Sequence, residues 1–219
     1  MYQNSKILEQ FIRENQINIV HARSRAPAWS AYWAAKRAGA HYMTTFHGTY
    51  GLGPFGIKKI YNRVMTYGER VIAISNHIRR HIIDNYIIDQ DKIRLVHRCV
   101  NTLRFNPENV SQARMINTVE EYNIPDDKPV ILLGGRITHW KGQHLLIKAL
   151  AKMKNQDFYC IIAGDEQGRE AYLAYLKKLA KKYNLLSRIC FHGKVLDMPA
   201  LMMVSNIVVS AAIEPEAFG

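Results

Sequence analysis

Short apolar runs alternate with helix-like segments along almost the whole length of this 219-residue chain. The apolar runs predict eight β-strands: 17–22, 41–46, 70–74, 93–97, 130–134, 158–164, 189–193 and 207–212. Helices are predicted between them, for example at 27–38, at 76–86 with Ser75 as its cap, and at 142–154. Such an alternation is typical of parallel sheets that helices cover on both faces, so the predicted fold class is α/β.

The alternation is interrupted once, at residues 103–129. This segment holds three prolines and no strand pattern, and its polar middle is at best helical. We therefore predict two α/β domains, at 1–105 and 129–219, with residues 106–128 as the connection between them.

The composition narrows the possible functions but is compatible with several of them. Apolar residues make up 48% of the chain and charged residues 22%, which is ordinary for a globular protein, and the net charge is +12. This charge predicts an anionic partner, and nucleic acid, nucleotide phosphates or acidic lipid headgroups would each satisfy it. The three cysteines (Cys99, Cys160 and Cys190) lie far apart and predict thiols in a reducing compartment. With no stretch typical of a signal peptide or a membrane span, the predicted location is the cytoplasm.

Polar and glycine-rich motifs follow the predicted strands repeatedly. His47-Gly48-Thr49 follows strand 41–46, Gly135-Arg136 follows 130–134, and Asp165-Glu166, His192-Gly193-Lys194 and Glu214-Pro215-Glu216 follow later strands. Ligands of open parallel sheets bind beyond the carboxyl ends of the strands. The sequence therefore predicts a ligand site at this edge.

The most informative motif is GGRITHWKGQHLL, residues 134–146. Its glycines, including Gly135, allow the backbone to approach a ligand closely, while Arg136 and Lys141 place two cations at the start of a helix. This arrangement suits a diphosphate, and the alternative is a plain strand–helix turn with solvated basic residues. The motif is neither a Walker loop nor a dinucleotide-binding fingerprint.

An ordered series of motifs gives the chain a family resemblance. GGRITHWKGQ, FYCIIAGD, FHGKV and EPEAFG follow one another in the second half, after TTFHG, VIAISNHIRRHI and IRLVHRCVNTLRFNP in the first. The series resembles the retaining glycosyltransferases of family four, whose GT-B fold consists of two facing Rossmann-like domains. The resemblance covers nearly the whole chain.

The resemblance implies roles for particular residues. Arg136 and Lys141 correspond to the pair that holds the diphosphate of a nucleotide-sugar donor, and His47 to a histidine that contacts the donor sugar. Glu216 corresponds to the first glutamate of the family's E-x7-E motif, which also contacts the sugar, so His47 and Glu216 are the predicted catalytic residues. In the FHGKV loop, Lys194 and Val195 are the candidates for contact with the base.

The resemblance also implies that neither a metal nor a cofactor is needed, the nucleotide sugar being a substrate. The one Asp-x-Asp pattern, Asp89-Gln90-Asp91, precedes a strand and is interpreted as a solvated turn. The family's second glutamate would lie beyond residue 219, and the family's opening strand and glycine-rich loop have no counterpart before residue 17. The expectation is that the chain is truncated at both ends and that both domains are incomplete.

The predicted function is transfer of a sugar, with retention, from a nucleotide sugar to a cell-envelope glycan or lipid. One alternative is a non-catalytic fragment of a broken or split glycosyltransferase gene. Another is a basic nucleic-acid-binding protein, which the scattered lysines disfavour. Peripheral contact with the inner membrane surface is predicted for residues 56–64, whereas the lysine-rich segment 176–188 is interpreted as the solvated face of a packed helix.

Overall fold

The computed structural model describes residues 1–153 and 156–217. By its internal contacts the chain forms two compact units. The first unit contains Met1–Cys99 and the chain from Glu216 onward, and the second contains Val100–Pro215. Each unit is built on one parallel four-stranded sheet, so the predicted α/β class is confirmed.

The sheet of the first unit has the strand order β1-β2-β3-β4. Its elements are α1 (Tyr2–Glu14), β1 (Ile19–Ala22), α2 (Arg25–Ala38), β2 (His41–Phe46), α3 (Ile57–Asn62), β3 (Arg70–Ala73), α4 (Asn76–Asn85) and β4 (Ile93–Leu95). Phe46, Met65, Ile78 and Ile82 are wholly buried and belong to one apolar cluster that fixes this unit. As predicted, the Ser75 hydroxyl caps α4 and accepts from the Ile78 N–H at 3.3 Å.

The sheet of the second unit has the order β7-β6-β5-β8. Its elements are α5 (Gln112–Tyr122), β5 (Val130–Gly134), α6 (Gln143–Leu150), β6 (Tyr159–Ala163), α7 (Glu170–Lys182), β7 (Ile189–His192), α8 (Met198–Met203) and β8 (Ile207–Val208). Along β5, Ile131 and Leu133 pack into one apolar cluster while Val130 and Leu132 pack into another. The strand is buried on both faces, which explains its continuous apolar sequence.

Most predicted elements are present, with differences at their ends. Strands 41–46 and 130–134 have the predicted bounds, whereas the predicted strand 207–212 shortens to Ile207–Val208. The predicted helix 142–154 is α6, which begins at Gln143 and ends at Leu150, and residue 154 lies outside the described residues. The lysine-rich helix α7 buries Leu176, Leu179 and Ala180 and exposes its lysines, so the interpretation as a packed helix is confirmed.

The segment predicted as a connection, 106–128, contains α5, which packs on the second unit. Arg114 of α5 donates two hydrogen bonds to the Asp197 carboxylate, each 2.7 Å long. That carboxylate also caps α8 by accepting from the Ala200 N–H at 3.1 Å, and the Arg114 guanidinium lowers the pKa of Asp197. The chain therefore enters the second unit ahead of its first strand, while the boundaries at 105, 106 and 128 stay predictions.

Two other sequence interpretations concern the surface of the chain. Asp89 lies at the amino end of β4, where its carboxylate accepts from the Asp91 N–H at 2.9 Å in a local turn. The Asp-x-Asp pattern is therefore an exposed turn, as predicted from the sequence. In the part of the chain that the structure describes, no helix is long and apolar enough to cross a membrane.

Candidate functional site

A basic loop, residues 134–143, runs from the last residue of β5 to the first residue of α6 at the carboxyl edge of the second sheet. Backbone hydrogen bonds hold it against the end of β6 and the turn that follows, from Gly135 N–H to the Ala163 carbonyl at 2.8 Å and from Ile137 N–H to the Asp165 carbonyl at 3.0 Å. The side chain of Gln143 is fully buried and donates to the Arg136 carbonyl at 2.8 Å. The loop is therefore fixed at three points, which gives Arg136 a defined backbone position.

Two glycines make this packing possible. A Cβ on Gly164 would lie 1.9 Å from the Gly135 carbonyl oxygen, and a Cβ on Gly142 would lie 1.8 Å from the Ala211 carbonyl oxygen. Gly142 also has a φ of +71°, which other residues rarely adopt. Only glycine fits at these two positions without movement of a neighbouring backbone.

The two cations of the basic loop meet on the ring of Trp140. The Lys141 Nζ lies 4.6 Å from the ring centroid and the Arg136 Cζ lies 5.9 Å from it. Both distances are within the range of a cation–π interaction. The Trp140 carbonyl is itself fixed, because it accepts from the Ile213 N–H at 2.8 Å. Two positive charges are thus held together beside the start of α6, where helix N–H groups add partial positive charge.

Lys194 and Val195 follow β7 at the same edge of the sheet. Lys194 is exposed, while Val195 is partly buried against an apolar cluster that contains Tyr122 and Leu201. Since β7 and β5 are separated by β6, the two strand ends lie roughly 10 Å apart. That spacing is suitable for different parts of one extended ligand.

His47 lies at the carboxyl edge of the first sheet, directly after β2, where two arginines contact its ring. Arg98 Nη2 lies 2.8 Å from the ring's Nδ1, and Arg23 Nε lies 3.4 Å from its Nε2. Partial burial, Arg98 and Arg23 lower the pKa of His47, with a smaller contribution from His21. His47 is therefore held in its neutral form near pH 7.

Glu216 is half-buried and belongs with the first compact unit, whereas Glu214 is exposed. Phe218 and Gly219, which complete the predicted E-x-F-G turn, lie outside the described residues. The role predicted for Glu216 stays a prediction.

The sequence interpretation missed four side chains of these two sites. They are Trp140 and Gln143 in the second unit and Arg23 and Arg98 in the first. Trp140 could have been found beside Lys141, because an aromatic residue between cations is a recognisable pattern. The two arginines each follow a strand, at Ala22 and Leu95, so they reach the same edge as His47.

The chain resembles known proteins along nearly its full length. Residues 1–104 match the model of Glycosyltransferase Family 4, and residues 115–219 match the model of Glycosyl transferases group 1. A glycosyltransferase from Rickettsia africae ESF-5 is 41% identical, with a TM-score of 0.89 over 99% of this chain and 57% of that one.

Two further relatives are more distant. The Anabaena protein Alr3699/HepE, solved in complex with UDP and glucose, is 22% identical, with a TM-score of 0.84 over 99% of this chain and 57% of that one. The phosphatidylinositol N-acetylglucosaminyltransferase GPI3 subunit of Saccharomyces cerevisiae (strain YJM789) is 26% identical over 97% of this chain and 47% of its own length. The chain spans about half the length of these proteins.

Two parallel-sheet units, with a basic loop at the carboxyl edge of the second, place the fold among the GT-B glycosyltransferases. The chain belongs to the glycosyltransferases, its first part to Family 4 and its second part to group 1. The resemblance and fold class predicted from the sequence are confirmed.

Proposed function

We propose that the chain binds a nucleotide sugar through the basic loop and serves in the retaining transfer of its sugar to an acceptor. The observation that carries the proposal is the pair Arg136 and Lys141, which meet on Trp140 beside the start of α6. A shared fold with Alr3699/HepE, a protein that was solved with UDP and glucose, supports it. Gly135 leaves room at the loop for the diphosphate, while Lys194 and Val195 contact the base.

The reaction breaks the bond between sugar C1 and the diphosphate oxygen and forms a bond from C1 to an acceptor hydroxyl oxygen on the same face. The acceptor proton passes to the departing phosphate oxygen, so no covalent protein intermediate is required. Negative charge grows on the diphosphate as the bond breaks, and fixed cations stabilise it more in the transition state than in the substrate. Arg136 and Lys141 supply this stabilisation in place of a metal, while His47 and Glu216 orient the sugar.

The proposed acceptor is a cell-envelope glycan or lipid, and the proposed place of action is the cytoplasmic face of the membrane. One relative carries the name phosphatidylinositol N-acetylglucosaminyltransferase GPI3 subunit, and phosphatidylinositol is a phospholipid. Other proteins of the same fold are named for lipopolysaccharide synthesis, including the outer core galactosyltransferase WaaB. These names support a lipid-linked or envelope acceptor.

A surface of the first unit supports peripheral membrane contact. Phe55 is fully exposed, and Ile57 and Ile60 are exposed by 66% and 65%. Lys58 and Lys59, also exposed, lie between them in sequence. An exposed apolar group beside cations is complementary to an anionic bilayer surface.

The membrane contact is tested by sedimentation with vesicles that contain anionic phospholipid. We expect the chain to sediment with them, less at high salt, and binding to fall at least tenfold in the combined variant Phe55→Ser, Ile57→Ser, Ile60→Ser. The matched control is Ile116→Ser, which removes an exposed isoleucine from α5 of the second unit. Equal binding of the wild-type chain and the combined variant would contradict the proposal.

The proposed function is tested by calorimetry with UDP, GDP and ADP, the matching monophosphates, and a single-stranded RNA oligonucleotide. At least one nucleoside diphosphate is expected to bind ten or more times more tightly than its monophosphate, because the second phosphate adds a charge-assisted contact. Tight RNA binding with no preference for any diphosphate would favour the nucleic-acid-binding alternative. Diphosphate binding without sugar release from any nucleotide sugar would favour the non-catalytic fragment.

A further inference from the structure

Three basic side chains converge at the carboxyl edge of the first sheet. Arg23 directly follows β1, His47 directly follows β2, and Arg98 follows β4 by three residues. One guanidinium contacts each nitrogen of the His47 ring, at 3.4 Å from Arg23 and 2.8 Å from Arg98. Residues that are 24 and 51 positions from His47 in the sequence are thus brought to a single ring.

The imidazole cannot satisfy both arginines. A guanidinium only donates hydrogen bonds, and a neutral imidazole has one accepting nitrogen, the other carrying its proton. One of the two contacts is therefore a donor facing a donor, whichever tautomer is present. Protonation of the ring would remove the remaining acceptor and place three positive charges together.

No described group that acts electrostatically on His47 supplies a negative charge to offset the positive charges of Arg23 and Arg98. Among the described residues, those that perturb it electrostatically are Arg98, Arg23 and His21, all of them basic. Two other arginines of this unit, Arg13 and Arg37, do have a carboxylate partner, since both pair with Glu9. The hydrogen bonds described for Arg23 and Arg98 are with the ring of His47, and Arg23 also acts electrostatically on His21, another basic group.

We propose that Arg23, His47 and Arg98 form a subsite for a phosphate-class oxyanion carried by a substrate of this enzyme. Two guanidiniums that flank one ring present donors that match the oxygens of a phosphate group. A bound oxyanion supplies the acceptor that the imidazole lacks. The subsite rests on the proposed function, and the oxyanion belongs either to the acceptor or to the donor diphosphate.

The experiment follows the ring signals of His47 by NMR in the whole 219-residue chain, labelled at histidine and assigned with His47→Gln. Glycerol 3-phosphate, inorganic phosphate and UDP are titrated at constant ionic strength. We expect a saturable shift of the His47 signals with the phosphate monoester. Its dissociation constant is expected to rise about tenfold in Arg98→Gln and in Arg23→Gln, the usual effect of losing one charge-assisted hydrogen bond.

The matched control is Arg94→Gln, which removes one positive charge from β4 at a residue whose described contacts are with backbone carbonyls. Its dissociation constant should stay within twofold of the wild-type value. Thermal unfolding of each variant establishes that it is folded. A His47 signal that no probe shifts, or Arg98→Gln and Arg23→Gln behaving like Arg94→Gln, would overturn the proposal.

Competition separates the two sources of the oxyanion. If glycerol 3-phosphate still shifts His47 when UDP is saturating, the subsite binds a phosphate of the acceptor, and if UDP displaces it, the subsite binds the donor diphosphate. The proposed function fails separately, if no nucleoside diphosphate binds the chain. UDP binding that depends on Arg136 while no phosphate shifts His47 leaves the function standing and removes only the subsite.

Discussion

Substitution of Gly164 by alanine is expected to lower the free energy of unfolding of the second unit by about 3 kcal/mol and to abolish binding to the basic loop. The added Cβ would lie 1.9 Å from the Gly135 carbonyl oxygen and 2.5 Å from its carbonyl carbon. Neither atom belongs to a flexible side chain, so the backbone itself must move. Because Gly135 also donates to the Ala163 carbonyl at 2.8 Å, any such movement disturbs the end of β5 beside β6.

The comparison variant is Gly193→Ala at the end of the neighbouring strand β7. Like Gly164 it lies in the turn after a parallel strand, but no heavy atom stands within 4 Å of its added Cβ. Its stability should therefore change by less than about 0.5 kcal/mol. For both variants, the free energy of unfolding is measured by urea titration, with hydrogen exchange of the peptide that contains β5 as the probe. Equal stability of the two would show that the close approach of Gly164 to Gly135 is wrong.

The bounds of a strand could be predicted from the sequence where burial of its apolar run alone determines its length. β2 and β5 have the predicted bounds because their apolar runs are buried and end at polar or glycine residues. β8 is shorter than its apolar run because it lies at the sheet edge, where its paired register with β5 consists of Ile207 and Val208 and the last backbone bond to β5 is from the Val209 N–H. Their side chains are about half exposed, at 53% and 52%, so strand length there depends on pairing and not on apolarity.

The candidate sites could be predicted only in part. The basic loop is contiguous in sequence, so its glycines and cations are visible as one pattern at 134–143. His47 is predictable from its place after a strand and from the family resemblance, but the two arginines that contact it lie directly after β1 and three residues after β4. Their convergence depends on the strand order β1-β2-β3-β4, which no local pattern contains. Gln143 likewise looks like an ordinary helix residue until its burial and its bond to Arg136 are seen.

Removal of the Arg136 guanidinium is expected to weaken binding of the preferred nucleoside diphosphate by about 10- to 100-fold. A hydrogen bond to a charged group contributes about 1.5–3 kcal/mol, and Arg136 is held for this role by Gln143 and Trp140. Arg136→Lys should recover part of the affinity, because it keeps the charge but loses the planar fork that binds a phosphate through two donors. Calorimetry at fixed ionic strength measures both variants.

The control for this prediction is Lys177→Ala, which removes one positive charge from the exposed face of α7 in the same unit. If binding depends only on the overall positive charge, Lys177→Ala and Arg136→Ala will weaken it equally. If Arg136 makes a specific contact, only Arg136→Ala will weaken it. The rate of sugar transfer, in any form of the enzyme that turns over, should fall more than the affinity. The reason is that the negative charge on the leaving diphosphate is largest in the transition state. Unchanged diphosphate affinity in Arg136→Ala would remove the basic loop from the donor site and leave Trp140 as a packing residue.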